Sequence, residues 1–508
     1  MKKRVLSFIL ILTFILSILS VFVSCADNTD TSSNDGNNQS PNQNQTPSDE
    51  DQIIQSEFTP PDGIDYGGYK FRILGYDGEA TGTWQIAAIS EIIAEEETGE
   101  PIHDAVYRRN KEVEELYNIT FDIVPVTYPN RGDFDTKFNK AVLAGDDLFD
   151  AAFLLGSSIA GILSKRNVTY DLLTIPSVDL SKSWWDQNSV KSLSIGNKLS
   201  LVMGDVNLYS FIAPIAIFAN KKFMQDYNIT NLYDLVREGK WTWDALHEIS
   251  RQVTKDLNGD GIIDKNDQVG FATQPQAMYQ TVIGSGALIT PKNNEDIPVL
   301  SPNIEKISGI LAKVVPIFKD TDSTIDANTV TGFNNVYFDF IMPKFRDGEI
   351  MFHVNQLLFS FELRNMNADF SILPLPKYDE SQEKYGTVVE EAWGTYTVIP
   401  VTCTDTARTG YILDAMGYYS QKYVKPAYYD VTVTNKLVRD DETIEMLDII
   451  MNNRVIDLIS LYNWGDIKSI INGIATSGKA DTFVSQFEKN ENKINTAIQK
   501  TLDELQGS

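Results

Sequence analysis

Between Tyr69 and Leu155 the chain alternates strand-like and helix-like segments. Tyr69 to Leu74 places apolar residues between basic ones at its start, the period of a strand. From Pro101 to Tyr117, Val106, Val113 and Leu116 recur at roughly helical spacing among charged residues. Ile119 to Val126 reads as a strand again. Phe134 to Leu143 reads as a helix that Gly145 stops, and Leu148 to Leu155 as a buried strand. Strand–helix–strand–helix–strand order builds an open α/β sheet with crossover helices.

Farther on, Thr242 is placed to cap a helix from Trp243 to about Thr254, with Asp244 in its first turn. Ile350 to Val354 reads as a strand. Phe370 to Pro376 reads as an extended crossing, since its prolines forbid a helix. The last hundred residues carry helical patterns, and no internal repeat is visible.

The start of the chain bounds where this body works. Lys2, Lys3 and Arg4 precede an apolar run to Val23, the layout of a secretory signal. Val21-Phe-Val-Ser-Cys25 resembles a lipobox, with Phe22 where Leu is usual. Residues 1–25 are therefore expected to be a lipoprotein signal with Cys25 as the lipidated residue. The alternative is an uncleaved anchor helix, and both place the body outside the cytoplasm, at the membrane. Residues 26–60, rich in Asn, Gln, Ser, Asp and Thr, offer almost nothing to bury and read as a disordered tether.

With Cys25 lipidated, Cys403 has no partner for an intramolecular disulfide, so stability rests on apolar cores. More than 450 residues remain of the 508, which exceeds what one core usually supports, so at least two lobes are expected. The formal net charge is −27; the signal contributes +3, leaving −30 on the rest. So acidic a body does not seek nucleic acid or anionic lipid.

The sharpest chemical motif is Asp256-Leu-Asn-Gly-Asp-Gly-Ile-Ile-Asp-Lys-Asn-Asp267. Asp256, Asn258, Asp260, the backbone carbonyl of Ile262, Asp264 and Asp267 stand at calcium-ligand spacing, with Gly261 at the turn. Asp267 replaces the usual Glu, so a structural calcium would bind weakly, at roughly 10⁻⁴ to 10⁻³ M. The alternative is an Asp/Gly turn without metal. No catalytic motif stands out: His103, His247 and His353 are widely spaced, and Gly-x-Ser-x-Gly, His-Glu-x-x-His and phosphate-loop patterns are missing.

Five segments together carry a resemblance. They are Arg109 to Tyr117; Ser183-Trp-Trp-Asp186 with Gly196 to Val202 and Gly204-Asp-Val-Asn207; Ile217 to Phe223; Trp241 to Leu246 followed by the Asp-rich loop; and Asp347 to Met351 with Phe370 to Pro376. In this order, from about residue 65 onward, they resemble extracellular solute-binding protein family 1, the carbohydrate-type receptors of ABC importers. The resemblance implies a type II periplasmic-binding-protein-like fold, two α/β lobes joined by hinge strands. Residues 61–212 plus 372–428 would form lobe 1, and 213–371 plus 429–508 lobe 2.

It also implies a non-enzymatic, monomeric receptor that closes on a small solute, such as a mono- or oligosaccharide, and hands it to a membrane permease. Cleft candidates at presumed crossings and strand ends are Asp205, Asn207, Tyr209, Asn355, Trp393 and Tyr396, with Trp464 in a presumed loop between C-terminal helices and Trp84 in the acidic segment 76–100. For each aromatic the competing reading is core packing. The competing functions are a lipid-anchored glycoside hydrolase, whose carboxylate pairs could do acid/base work, and a carbohydrate-binding surface protein.

Overall fold

The structure, a computed structural model, describes residues 58–76, 91–126, 132–165, 167–363, 369–391, 393–433 and 441–506. The candidates Cys25 and Trp84, and nearly all of the 26–60 tether, lie outside these residues. The chain from Gln55 onward forms one compact unit, within which two sheets carry two lobes.

The first sheet follows the alternation at the start of the body. Strand β1 (Tyr69–Tyr76) pairs parallel with β2 (Ile119–Val126) over its whole length, from Tyr69 opposite Ile119 to Tyr76 opposite Val126. The helix between them, Pro101–Tyr117, starts with Pro at its first turn and an N-cap Glu100 whose carboxylate accepts the His103 N–H. Asn118 in the left-handed region ends it and turns the chain straight into β2. Its buried face carries Ile102, Val106, Val113 and Tyr117. Strand β3 (Ala151–Leu155) is buried at every position and lies beside β1, as an interior strand of an α/β sheet must. It begins three residues after the expected Leu148, which stays exposed.

The second sheet has the order β6-β5-β7-β4-β8. Its strands are β4 (Ile215–Asn220), β5 (Val269–Thr273), β6 (Thr324–Asp326), β7 (Ile350–Gln356) and β8 (Phe370–Leu373). Interior strand β4 is buried throughout and antiparallel to both neighbours, whereas β5 runs parallel to β6 and β7. Phe370–Leu373 is thus a strand of this sheet, not the crossing its prolines suggested. Past Leu373 the chain stays against second-lobe elements: Trp241 Nε1 donates to Pro374 carbonyl, Trp243 N–H to Lys377 carbonyl and Tyr385 hydroxyl to Val236 carbonyl. Thr242 caps the Trp243–Val253 helix through Ala245 N–H, and Trp241 and Trp243 are fully buried beside β7 and β5.

After β8 the chain returns through β9 (Thr387–Val388) to β10 (Thr395–Val398), which closes the first sheet antiparallel to β3. Helices Thr406–Tyr419 and Lys425–Val433 pack on Pro101–Tyr117, and Asp441–Asn452 packs on β8. Short β11 (Arg454–Val455) pairs with β9. The helix Ile467–Ser477 then packs on Ala277–Gly284 and Ile304–Phe318. Among the described residues, no helix is long and apolar enough to cross a membrane.

Three segments run side by side where the lobes join. Leu357 and Leu358 donate their N–H groups to the carbonyls of Pro214 and Ile212, at 2.8 and 2.9 Å. On the other side Glu390 N–H donates to Ala213 carbonyl at 3.0 Å. The junction is therefore a small hydrogen-bonded ribbon rather than loose linkers.

Candidate functional site

Beside this ribbon the returning segment carries Glu390 and Glu391. Two contacts tie its backbone to the first lobe. Gly156 N–H donates to Gly394 carbonyl at 3.0 Å, and Ser157 N–H to Glu391 carbonyl at 2.9 Å. The approach is so close that a Cβ on Gly156 would lie 2.8 Å from Glu391 O, so only glycine fits there.

The side chains reach the other way. Gln280, from helix Ala277–Gly284, donates Nε2 to Glu390 Oε2 at 2.6 Å. Lys468, from the first turn of Ile467–Ser477, donates Nζ to Glu390 Oε1 at 3.2 Å and also to Glu391 Oε1. One ammonium thus holds two carboxylates, all three largely withdrawn from water. Burial raises the pKa of Glu391, the Glu390 carboxylate adds to the rise, and Lys468 opposes it. Burial works against the Lys468 charge, but the two carboxylates outweigh it and raise its pKa. Among the described residues Gln280 Oε1 is buried with no hydrogen-bond partner, an acceptor left open in a site otherwise made of paired groups.

Trp393 and Tyr396 follow on the same segment. Trp393 N–H donates to Glu390 carbonyl at 3.1 Å, and its side chain is almost wholly buried. Tyr396 sits on β10 opposite Leu154, and burial pushes its hydroxyl pKa up. Asn355 stands next to the last residue of β7 at the ribbon, its Nδ2 3.0 Å from His353 Nε2 and its Oδ1 accepting Gln356 N–H. These three lie along the junction.

The remaining candidates are committed to structure. Asn207 Oδ1 accepts from Gly204 N–H and Thr397 Oγ1 and so fastens a turn to β10. Asp205 accepts from Gln421 Nε2 at 3.1 Å and faces Lys425 at 3.8 Å. Tyr209 donates its N–H to Glu91. Trp464 is buried, stacked on Tyr462 at 5.1 Å between ring centroids, with Nε1 donating to Thr501 Oγ1 at 2.8 Å. This is the core-packing alternative for Trp464. A separate cavity of about 800 Å³ opens between Asn188, Tyr378, Gln382 and Arg454, and none of the sequence candidates lines it.

Gln280, Glu390, Glu391 and Lys468 were not candidates from sequence. The one available signal was the Glu390-Glu391 pair beside Trp393 at a presumed crossing.

Glu91 gives the junction a pH dependence. It is buried and accepts from Thr395 Oγ1 at 2.5 Å and Tyr209 N–H at 3.2 Å. Burial raises its pKa from 4.5 to about 7, despite those hydrogen bonds and the nearby Arg109 charge. A folded pKa above the unfolded one means that the folded state holds this proton more tightly. Its contribution is complete below about pH 4 and is lost as pH rises through about 7, on the order of 3 kcal/mol. Urea unfolding of Glu91→Gln between pH 4 and 8 is expected to give a flatter stability profile than wild type. Parallel profiles would contradict this.

In the Asp-rich loop the oxygen donors turn onto the loop's own amides. Asp256 accepts from Gly259 and Gly261 N–H, and these bonds hold its pKa down, Gly261's most. Gly261 takes φ +80°, the turn foreseen for it. Asp260 accepts from Ile262 N–H, and fully buried Asp267 accepts from Leu257 and Asp264 N–H. Ile263 packs against the core. Among the described residues no three His, Cys, Asp or Glu side chains converge as a cation site.

No family model matches the chain, and no curated protein sequence matches it. Solved structures do. A cyclo/maltodextrin-binding protein complexed with maltotetraose superposes with a TM-score of 0.52 at 15% identity, covering 88% of this chain and 98% of that one. The ABC substrate-binding protein Lmo0181 from Listeria monocytogenes, in complex with cycloalternan, gives 0.51 at 11%, covering 85% and 98%. Apo RafE from Streptococcus pneumoniae gives 0.52 at 14%, covering 87% and 100%. At such identities the likeness establishes the fold, a two-lobed periplasmic-binding-protein-like α/β architecture with the lobes joined by hinge strands.

Proposed function

We propose, on the premise of this two-lobed fold, that the chain is the solute-binding receptor of an ABC importer and that its solute is a sugar. The observation that carries the reading is the junction itself. Backbone groups of one lobe, at Gly156 and Ser157, and side chains attached to the other, Gln280 and Lys468, converge on Glu390 and Glu391 of the segment joining them. A solute held there contacts both lobes and favours closure by its differential affinity for the closed state. Carboxylate and amide groups suit hydroxyls. The structural neighbours described above include proteins solved with maltotetraose and with cycloalternan, which supports a sugar as the solute.

The hydrolase alternative is weaker at this site. Glu390 and Glu391 share one ammonium, so they are tied together rather than poised on opposite sides of a bond. The reading also includes the lipid anchor at Cys25, delivery to a separate membrane permease, and a monomeric receptor on the outer face of the membrane.

The test is thermal melting with neutral mono- and oligosaccharides. A ligand of the folded state raises the melting temperature by mass action. A dose-dependent rise with one sugar series, the sugar recovered unaltered, is the expected result. Cleaved product would establish the hydrolase instead, and silence across the sugars would remove the sugar reading.

The Asp256–Asp267 loop is proposed to take calcium weakly. Its donor set suits a hard cation, whose charge would share the Asp256 and Asp260 carboxylates with the loop amides they now accept from. Millimolar calcium is expected to raise the melting temperature by a few degrees, an effect absent in Asp256→Ala. An unchanged melt would remove the metal.

A further inference from the structure

We infer that Glu390, Glu391, Lys468 and Gln280 set the charge selectivity of the site, admitting neutral and amino sugars and rejecting acidic ones. The inference rests on the receptor reading above and deepens it.

The cluster is rich in acceptors. Two carboxylates face one ammonium, so the group carries a net negative charge. Gln280 donates one Nε2–H to Glu390 Oε2, while its buried Oε1 stands without a donor among the described residues. A buried amide oxygen calls for an O–H or N–H to complete it, which a sugar hydroxyl or ammonium supplies and an ionised carboxylate does not. The backbone donors that might have offset this are spent: Gly156 and Ser157 N–H, at the start of helix Gly156–Leu163, already donate to Gly394 and Glu391 carbonyls. An anionic group entering here meets two carboxylates against one ammonium, a net like charge in a site shielded from water. Specificity then comes from repulsion of the wrong solute as much as from attraction of the right one.

The experiment uses the full chain and two matched series, glucose, glucosamine and glucuronate, and galactose, galactosamine and galacturonate, read by calorimetry at low salt. In the series that binds, the neutral or amino sugar is expected to bind about tenfold or more tighter than its uronate. The gap is expected to shrink in Glu390→Gln/Glu391→Gln, whose folding is checked by its ligand-free melt. A uronate that binds wild type as tightly as its neutral counterpart overturns the charge selectivity and leaves the receptor reading standing. Silence across both series and across neutral oligosaccharides overturns the receptor reading and the selectivity with it. The wild-type comparison decides the matter even where the double variant does not fold.

Discussion

Lys468→Met is expected to destabilise the protein by about 3 kcal/mol at pH 8 and by clearly less at pH 5. Among the described residues the lysine is the one ammonium bonded to Glu390 and Glu391, and all three side chains are mostly shielded from water. Removing it leaves two carboxylates facing each other with their desolvation uncompensated, the costly way to break such a cluster. Partial solvent access keeps the figure at the low end of the buried-pair range. The pH dependence follows from the carboxylate. Glu391 already has a raised pKa from burial and its neighbour, and without Lys468 that rise grows. A folded pKa above the unfolded one means stability that is present at low pH and lost as pH rises. The second variant Lys468→Met/Glu391→Gln is expected to recover most of the loss. Urea unfolding at the two pH values measures both, and a pH-independent loss in the single variant would show that the ion cluster is not its cause.

Arg454→Met is expected to cost about 3–5 kcal/mol. Arg454 Nη2 lies 2.5 Å from Asp186 Oδ2, with the two side chains only 10% and 2% exposed. Asp186 also accepts Ser189 N–H at 2.8 Å and so caps the helix Gln187–Leu193. The arginine stands on β11, beside β9, so this pair fastens the C-terminal part of the chain to the first lobe. Burial raises the Asp205 pKa, and the charges of Lys425 and Arg454 oppose that rise. A double-mutant cycle with Asp186→Asn, which keeps an oxygen for the helix cap, separates the ion pair from the lost packing. Strong coupling is the expected outcome; additive losses would assign the effect to packing alone.

Local elements were legible where the chain states its own ends. Pro101 opens a helix and Asn118 closes it, and Ile119–Val126 follows as a strand with the foreseen bounds. Thr242 marked its helix for the same reason. Phe370–Leu373 was misread because the prolines after it are local, whereas its partner β4 lies some 150 residues earlier. Trp464 looked like a loop aromatic, since Asn463 and Gly465 flank it; its burial depends on Thr501 in the final helix. The junction cluster was the least legible part. Gln280 is one amide in an apolar helix and Lys468 one cation on an amphipathic one. Neither has meaning before the fold brings positions 280, 390, 391 and 468 together.

The way the two sheets are threaded also sets an order of assembly. All five strands of the second sheet come from the continuous stretch Ile215–Leu373. The first sheet begins with β1 but is closed only by β10, Thr395–Val398, on the far side of that stretch. During synthesis, therefore, the earliest strands wait longest. Until β10 arrives, β3 exposes an apolar, unpaired edge, the kind of surface that recruits other chains. A nascent or truncated chain ending before Thr395 thus carries a sticky flank that the finished protein conceals. Holding the chain unfolded until its C-terminal third has emerged removes that hazard.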